Sequence, residues 1–469
     1  MAQPPEAVHV VPLRQATGAW FRISLQTFGG PAGQIAVMHR SLVEEHRWIG
    51  ERRFLHALNY CMLLPGPEAQ QLAIYVGWLL NGSAGGLVAG VLFVLPGLVA
   101  LLALSAAYVG FGETAVVTAL FAGLAPAVLA VVAQAVVRLG RRVLRHPLLV
   151  GVAVTAFVAL TILGLPFPLV VLGAGVVGAV VGRLRPDIMA APVEDVGGDA
   201  SAPLIPDDAL HGARPTWRRA ALILGIGLPL WLAPVLLAFT LTGADSVFTE
   251  QGLFFSGTAL VTFGGAYAVL AFVAQRAVEV YGWLAPGEMA RGLALAESTP
   301  GPLIMVVQFV AFLGAFRDPG VLDPWVAGVL ASLLTTWVTF VPCFLFIFLG
   351  APHVERLRGN VALSAAMTGI TAAVVGVIAN LAAYFATHTL FADSRRYGAG
   401  PVDLEMPVIS SVDWLAVTIT LVAGWLLLGR GWSVLRTLGV CAALGLLAGL
   451  LGGLLTGLVG GTTAGLHPL

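Results

Sequence analysis

The chain has 469 residues, of which 58% are hydrophobic and only 10% charged, and its mean hydropathy is +0.92. A soluble domain carries roughly a quarter charged residues, so a water-soluble globule of this length would lack polar surface. The composition instead gives an all-α, polytopic integral membrane protein. The formal charge is zero, 24 against 24, which removes any global electrostatic case for nucleic acid as a partner.

Every basic residue other than histidine is Arg, a usage that a GC-rich genome explains and that planar, permanently charged oxyanion contacts would also favour. Cys61, Cys343 and Cys441 form no CxxC pair, which excludes a disulfide framework or a zinc site of the usual spacing. No metal, cofactor or catalytic residue is expected. Residues 1–16 form an N-terminal tail without the basic-then-apolar order of a cleaved signal peptide.

Apolar stretches long enough to span a bilayer follow near 17–38, 54–80, 86–109, 114–138, 147–163 and 166–183. A second series lies near 218–242, 251–275, 289–316, 324–350, 361–386, 412–428 and 433–458, giving about 13 segments in all. Residues 17–183 and 217–469 are thus two halves. Residues 184–216 between them, with Asp187, Glu194, Asp195, Asp199, Asp207 and Asp208, read as an acidic, Pro-rich solvated linker.

The halves are related. Thr27-Phe28-Gly29-Gly30 returns as Thr262-Phe263-Gly264-Gly265, an offset of 235. In the same register Trp48 matches Trp283, and Pro65-Gly66-Pro67 matches Pro300-Gly301-Pro302. If every segment crosses, seven crossings separate the two copies, and an odd number makes them inverted. Alternation then places Arg14, Arg22, Arg138, Arg141, Arg142 and Arg145 on the face of the N-terminus, with most later Arg residues. The positive-inside rule makes that face cytoplasmic. Arg40, Arg47, Arg52 and Arg53 fall on the wrong side: either their loop is functional, or the Pro-Gly-Pro segment dips in and returns. A re-entrant second segment alone would make the repeats parallel, and the inverted reading is preferred.

Two prolines around a glycine split a helix, and backbone freed at membrane depth is tolerated only where it is buried or lines a cavity. The half-helices starting near Glu68 and Leu303 would present free N–H groups and positive dipole ends, a natural anion site. Gly66 and Gly301 at the breaks, Gly29, Gly30, Gly264 and Gly265 at the diglycines, and Gln34, Gln70 and Gln71 as neutral donors are the candidate substrate contacts. Glu68 and Glu297 are the acids nearest the breaks and candidates for coupling ion movement. Arg40, Arg47, Arg52 and Arg53 would supply positive potential at one mouth. Packing, helix bending and dipole complementation are the plainer roles for the same residues.

The string Thr27-Phe28-Gly29-Gly30-Pro31-Ala32-Gly33-Gln34, then Trp48, Phe54 and Leu64-Pro65-Gly66-Pro67-Glu68-Ala69-Gln70-Gln71, resembles the chromate ion transporter family. Gly77-Trp78, Gly85-Gly86 and Leu95-Pro96-Gly97 continue it, and the second half carries a degenerate copy with Ala266 for Pro31 and Leu303 for Glu68. The resemblance is to the long, two-domain form and implies a secondary transporter rather than an enzyme. It implies export of chromate across the inner (plasma) membrane, driven by membrane potential or ion coupling and conferring chromate resistance. Sulfate, an oxyanion of similar size and charge, is the alternative substrate. A membrane-embedded enzyme acting on a phosphorylated lipid and an anion channel are the rivals of other classes. The lipid bilayer is the expected surrounding, and the sequence fixes no oligomeric state, a homodimer being compatible with it.

Overall fold

The computed structural model of the chain describes residues 11–185, 204–205, 216–263, 266–351, 361–399 and 402–463. In the first half α1 is Leu13–Ser24, α2 Gly30–His39, α3 Glu51–Cys61, α4 Glu68–Phe111, α5 Ala115–Val143, α6 Pro147–Thr161 and α7 Phe167–Leu184. In the second half α8 is Trp217–Thr242, α9 Val247–Val261, α10 Ala266–Gln275, α11 Glu288–Ser298 and α12 Val306–Arg317. The long helices α13 (Pro324–Gly350) and α14 (Val361–Leu390) follow, then α15 (Trp414–Gly424) and α16 (Val434–Thr463). An antiparallel hairpin, β1 (Ser394–Ala399) with β2 (Val402–Pro407), joins α14 to α15. That hairpin was not foreseen from hydropathy, because it contributes no apolar span.

The duplication extends to element level. A π-helical turn follows α2 at Arg40–Glu45 and α10 at Arg276–Val280. α3 and α11 each run into a Pro-Gly-Pro break, and the half-helix beyond it leads to a long helix, 83–111 or α13. Among the described residues seven helices are long and apolar enough to cross a membrane, with shorter apolar helices at Pro147–Thr161, Leu303–Arg317 and Trp414–Gly429.

Four of the thirteen expected segments do not cross. The clearest is 54–80. Helix α4 is bent double at Asn81 and Gly82, whose φ/ψ values of −139/24° and 62/−154° leave the helical region. Its arms, 68–80 and 83–111, lie antiparallel: a Cβ on Gly77 would come 2.5 Å from the Gly85 carbonyl oxygen. Glycine is what lets backbones approach so closely. On the other side of the break the ring of Tyr60 of α3 lies against that of Tyr75, tilted by 50° with centroids 5.7 Å apart, so α3 and the 68–80 arm also fold back on each other. The segment enters, breaks at Gly66 and returns.

Tracing the faces follows from contacts. Asn81 at the hairpin tip donates to the Val11 carbonyl at 2.5 Å, so the start of α1 lies at that level. One cavity is lined by Arg40 after α2, by Arg138 and Arg142 near the end of α5, and by Val434 at the start of α16. Val143, Leu149, Val181 and Ala365 cluster together, which puts the starts of α6 and α14 and the end of α7 on this same Arg-rich face. On the opposite face the His388 carbonyl lies 3.8 Å from where a Cβ on Gly287 would stand, which places the start of α11 beside the end of α14. Segments 17–38 and 54–80 therefore dip in from the Arg-rich face, and 251–275 and 289–316 from the other. Five crossings (83–111, α5, α6, α7 and α8) remain between the copies. Five is odd, so the repeats stay inverted, and the four misplaced arginines fall in line.

This arrangement predicts labelling. In a chain whose buried Cys61, Cys343 and Cys441 are replaced by Ala, His46→Cys and His146→Cys react with an impermeant maleimide from one side, and Glu113→Cys from the other. Were 17–38 and 54–80 full crossings, His46→Cys would side with Glu113→Cys instead.

Candidate functional site

The inner ends of the half-helices are held by the opposite repeat. The Gly66 N–H donates to the Thr262 carbonyl at 2.7 Å, and the Gly301 N–H donates to the Thr27 carbonyl at 3.0 Å. The same bond is thus made twice at the 235-residue offset. Thr27 and Thr262 each turn their hydroxyl back to a carbonyl of their own helix, Ser24 at 2.9 Å and Thr258 at 2.7 Å. Both break glycines sit at φ values only glycine holds comfortably, +119° for Gly66 and +109° for Gly301. The prolines supply breaks without stray N–H groups, and Gln71 donates to the Pro65 carbonyl at 2.6 Å.

Between this floor and the Arg-rich face lies a cavity of about 610 Å³. At its inner end are Gly29, Gly30, Pro31 and Ala32 at the start of α2, Gly66 and Glu68 at the start of α4, and Ala266 and Tyr267 at the start of α10. Three helix N-termini therefore face one space, where free N–H groups and dipoles favour an anion. Its walls are α3 and α5, Gln134 among their residues, and its mouth carries Arg40, Arg138, Arg142, His39 and Glu44. His39 contacts Glu44 at 3.1 Å and Glu51 at 2.5 Å. Arg40, Arg138 and Arg142 are exposed to the cavity and form no ion pair among the described residues. A void with apolar walls, three guanidinium groups and helix N-termini is suited to a small oxyanion.

Gly29, Gly30, Gly66, Glu68 and Arg40 are brought together in this cavity. Gln34 is not on its surface: its amide donates to the Gly301 carbonyl at 2.6 Å and clamps the second break. Gln70 is fully buried with both amide atoms unpaired, outside the cavity lining. Gly301 packs on Gly97, whose Cα lies 3.1 Å from where a Cβ on Gly301 would stand. The cavity is thus lined chiefly by the first repeat, rather than by one half-helix from each. Glu297, 1% exposed, accepts from the Tyr267 hydroxyl behind the cavity. Arg47, Arg52 and Arg53 stand outside the lining; Arg47 holds a left-handed φ of 52°, and its carbonyl accepts from the Leu204 N–H of the linker at 3.1 Å. Gly264 and Gly265 lie outside the described residues.

Three lining residues escaped the sequence reading. Arg138 and Arg142 were read only as topology markers, although their i, i+4 spacing puts both on one helix face. Tyr267 stands where the first repeat has Ala32, so the repeat itself masked it.

The break geometry makes a stability prediction. An Ala at Gly66 would place its Cβ 2.9 Å from the Cys343 sulfur, and at Gly301 3.1 Å from Gly97 Cα; with the φ strain each substitution costs about 1–3 kcal/mol. Gln34→Ala loses one hydrogen bond and leaves a buried carbonyl unpaired, about 1 kcal/mol or somewhat more. Thermal melting in detergent should rank both glycine variants below Gln34→Ala, and all three below wild type.

The profile of the chromate transporter family matches residues 15–179 and 249–460. The chain is 31% identical to a chromate transport protein of Pseudomonas aeruginosa over 444 residues, covering 93% of this chain and 91% of that one. It is 29% identical over 386 residues to a chromate transport protein of Cupriavidus metallidurans, covering 80% and 85%. An uncharacterized transporter of Methanocaldococcus jannaschii is 21% identical over 375 residues, covering 78% and 83%. No solved structure is significantly similar. Two matched halves, sharing the broken-helix repeats that enclose the cavity, give the assignment: the chain belongs to the chromate transporter family.

Proposed function

We propose that this protein exports chromate from the cytoplasm, taking the dianion into the cavity at the Arg-rich face and releasing it across the membrane. The observation that carries this reading is the convergence of Arg40, Arg138 and Arg142 with the N-termini of α2, α4 and α10 on one space. The relatives' transport of chromate supports the substrate. The positive-inside rule supports a cytoplasmic Arg-rich face, and with it a cytoplasmic N-terminus in the inner membrane.

Direction has a physical basis. One charge crossing 100 mV is worth about 2.3 kcal/mol, so a dianion leaving a negative interior gains roughly 4.6 kcal/mol per 100 mV. Export needs no further coupling, whereas uptake would have to overcome that term. Glu68 qualifies the picture, since it lines the cavity beside Gly66. A carboxylate repels a dianion unless protonated, so proton uptake by Glu68 would accompany anion binding. Sulfate shares the shape and charge that this chemistry recognises.

In inverted vesicles under an imposed potential, chromate uptake is expected to saturate, separating a carrier from a channel. The double variant Arg138→Gln/Arg142→Gln, at equal expression, should lower the flux at subsaturating chromate at least about tenfold, the equivalent of one lost hydrogen bond between charged groups. Wild-type flux would remove the cavity from the account, and full competition by sulfate would make the protein a general oxyanion carrier. Glu68→Gln should flatten the pH dependence of flux; an unchanged profile would exclude that carboxylate from coupling.

A further inference from the structure

Pseudo-symmetry points to a second mouth. Helices α5 and α14 correspond at an offset of 246, which also aligns Pro96 within α4 with Pro342 within α13. Gln134, Arg138 and Arg142 of the cavity wall then map onto Asn380, Tyr384 and His388. At the 235 offset Arg40 and Glu44 map onto Gln275 and Glu279. Contacts repeat under the same mapping. Gln134 donates to the Leu427 carbonyl just after α15, and Asn380 accepts from Thr161 at the end of α6, the counterpart of α15. On the exit face the backbone of Gly287 lies beside His388.

The two positions differ in state. A cavity separates α2 from α5, whereas α10 packs directly along α14. The structure is therefore open to the Arg-rich face and shut at the other. We propose that the anion leaves between α10 and α14, past Gln275, Glu279, Asn380, Tyr384 and His388, when these helices part. This rests on the export reading above.

The mouths are unequal in charge. Arg40, Arg138 and Arg142 are replaced at the exit by Gln275, Tyr384 and His388. Three arginines that the second repeat places near that face are engaged elsewhere, and Arg395 and Arg396 lie on the β1 strand of the hairpin. Arg317 pairs with Glu288 at 2.8 Å, Arg291 donates to the Tyr108 hydroxyl at 3.0 Å, and Arg276 lies over the Phe272 ring at 5.7 Å. His388 faces Glu405 of the hairpin at 3.5 Å. An anion thus meets three arginines on the wall and mouth where it is captured, and none of the three is kept at the mapped exit positions. Unequal affinity cannot drive net transport, but it makes release fast and recapture from the far face weak.

The test restores the missing cations. Chromate transport is measured in right-side-out vesicles, which offer the exit, and in inverted vesicles, which offer the cavity. In wild type the half-saturating chromate concentration is higher from the exit side. Tyr384→Arg/His388→Arg lowers the exit-side value about tenfold and leaves the cavity-side value unchanged. An unchanged exit-side value at wild-type melting temperature overturns the proposal. Should the double variant not fold, Tyr384→Cys in the chain lacking native cysteines serves: chromate turnover must raise its labelling from the exit side, and constant labelling overturns the proposal. If wild type carries no chromate in either vesicle, the export reading itself fails, and the exit falls with it.

Discussion

The paired hydrogen bonds from Gly66 to Thr262 and from Gly301 to Thr27 are the constraint on which the rest depends. A helix broken at membrane depth exposes backbone that no water will satisfy. Here each repeat ends its own half-helix on a Thr carbonyl and offers that carbonyl to the other repeat's break. Neither half can satisfy its break alone, which explains why duplication, inversion and Pro-Gly-Pro occur together. The breaks are tied at their centres, so movement is left to the helices around them.

From that tie the asymmetry of the site follows. The second break is closed by Gln34 and Gly97 and is filled. The first remains open beside α5, with N-termini inward and arginines outward. Inverted repeats in different surroundings are two states of one design, and the two copies differ in charge along the cavity wall. Thr, Gly and Pro persist at the tie, whereas Arg138 and Arg142 have become Tyr384 and His388.

Much of this was legible in the sequence. The breaks, the offset and the inverted relation could be read from Pro-Gly-Pro, Thr-Phe-Gly-Gly and parity. Hydropathy could not separate a crossing from a hairpin, because the two arms of 54–80 together are as long and apolar as one spanning helix. The arginines did carry that information: Arg40, Arg47, Arg52 and Arg53 stood on the wrong side only while the segment was drawn straight. The cavity wall was harder to see. Arg138 and Arg142 end a helix at the Arg-rich face, where positive charge already has a sufficient explanation, and only the approach of α2 across the cavity gives them a second use. Gln34 was expected to be a neutral donor to the substrate, yet its partner is the Gly301 carbonyl, 267 residues away.

The proposed mechanism holds the anion at the first break, among the N-termini of α2, α4 and α10. An anomalous difference map at the chromium edge, from crystals grown with chromate, tests it directly. The expected peak lies in the cavity bounded by Gly30, Gly66, Arg138 and Tyr267. A peak at the Gly301 break, or none between the breaks and the Arg-rich mouth, would contradict it.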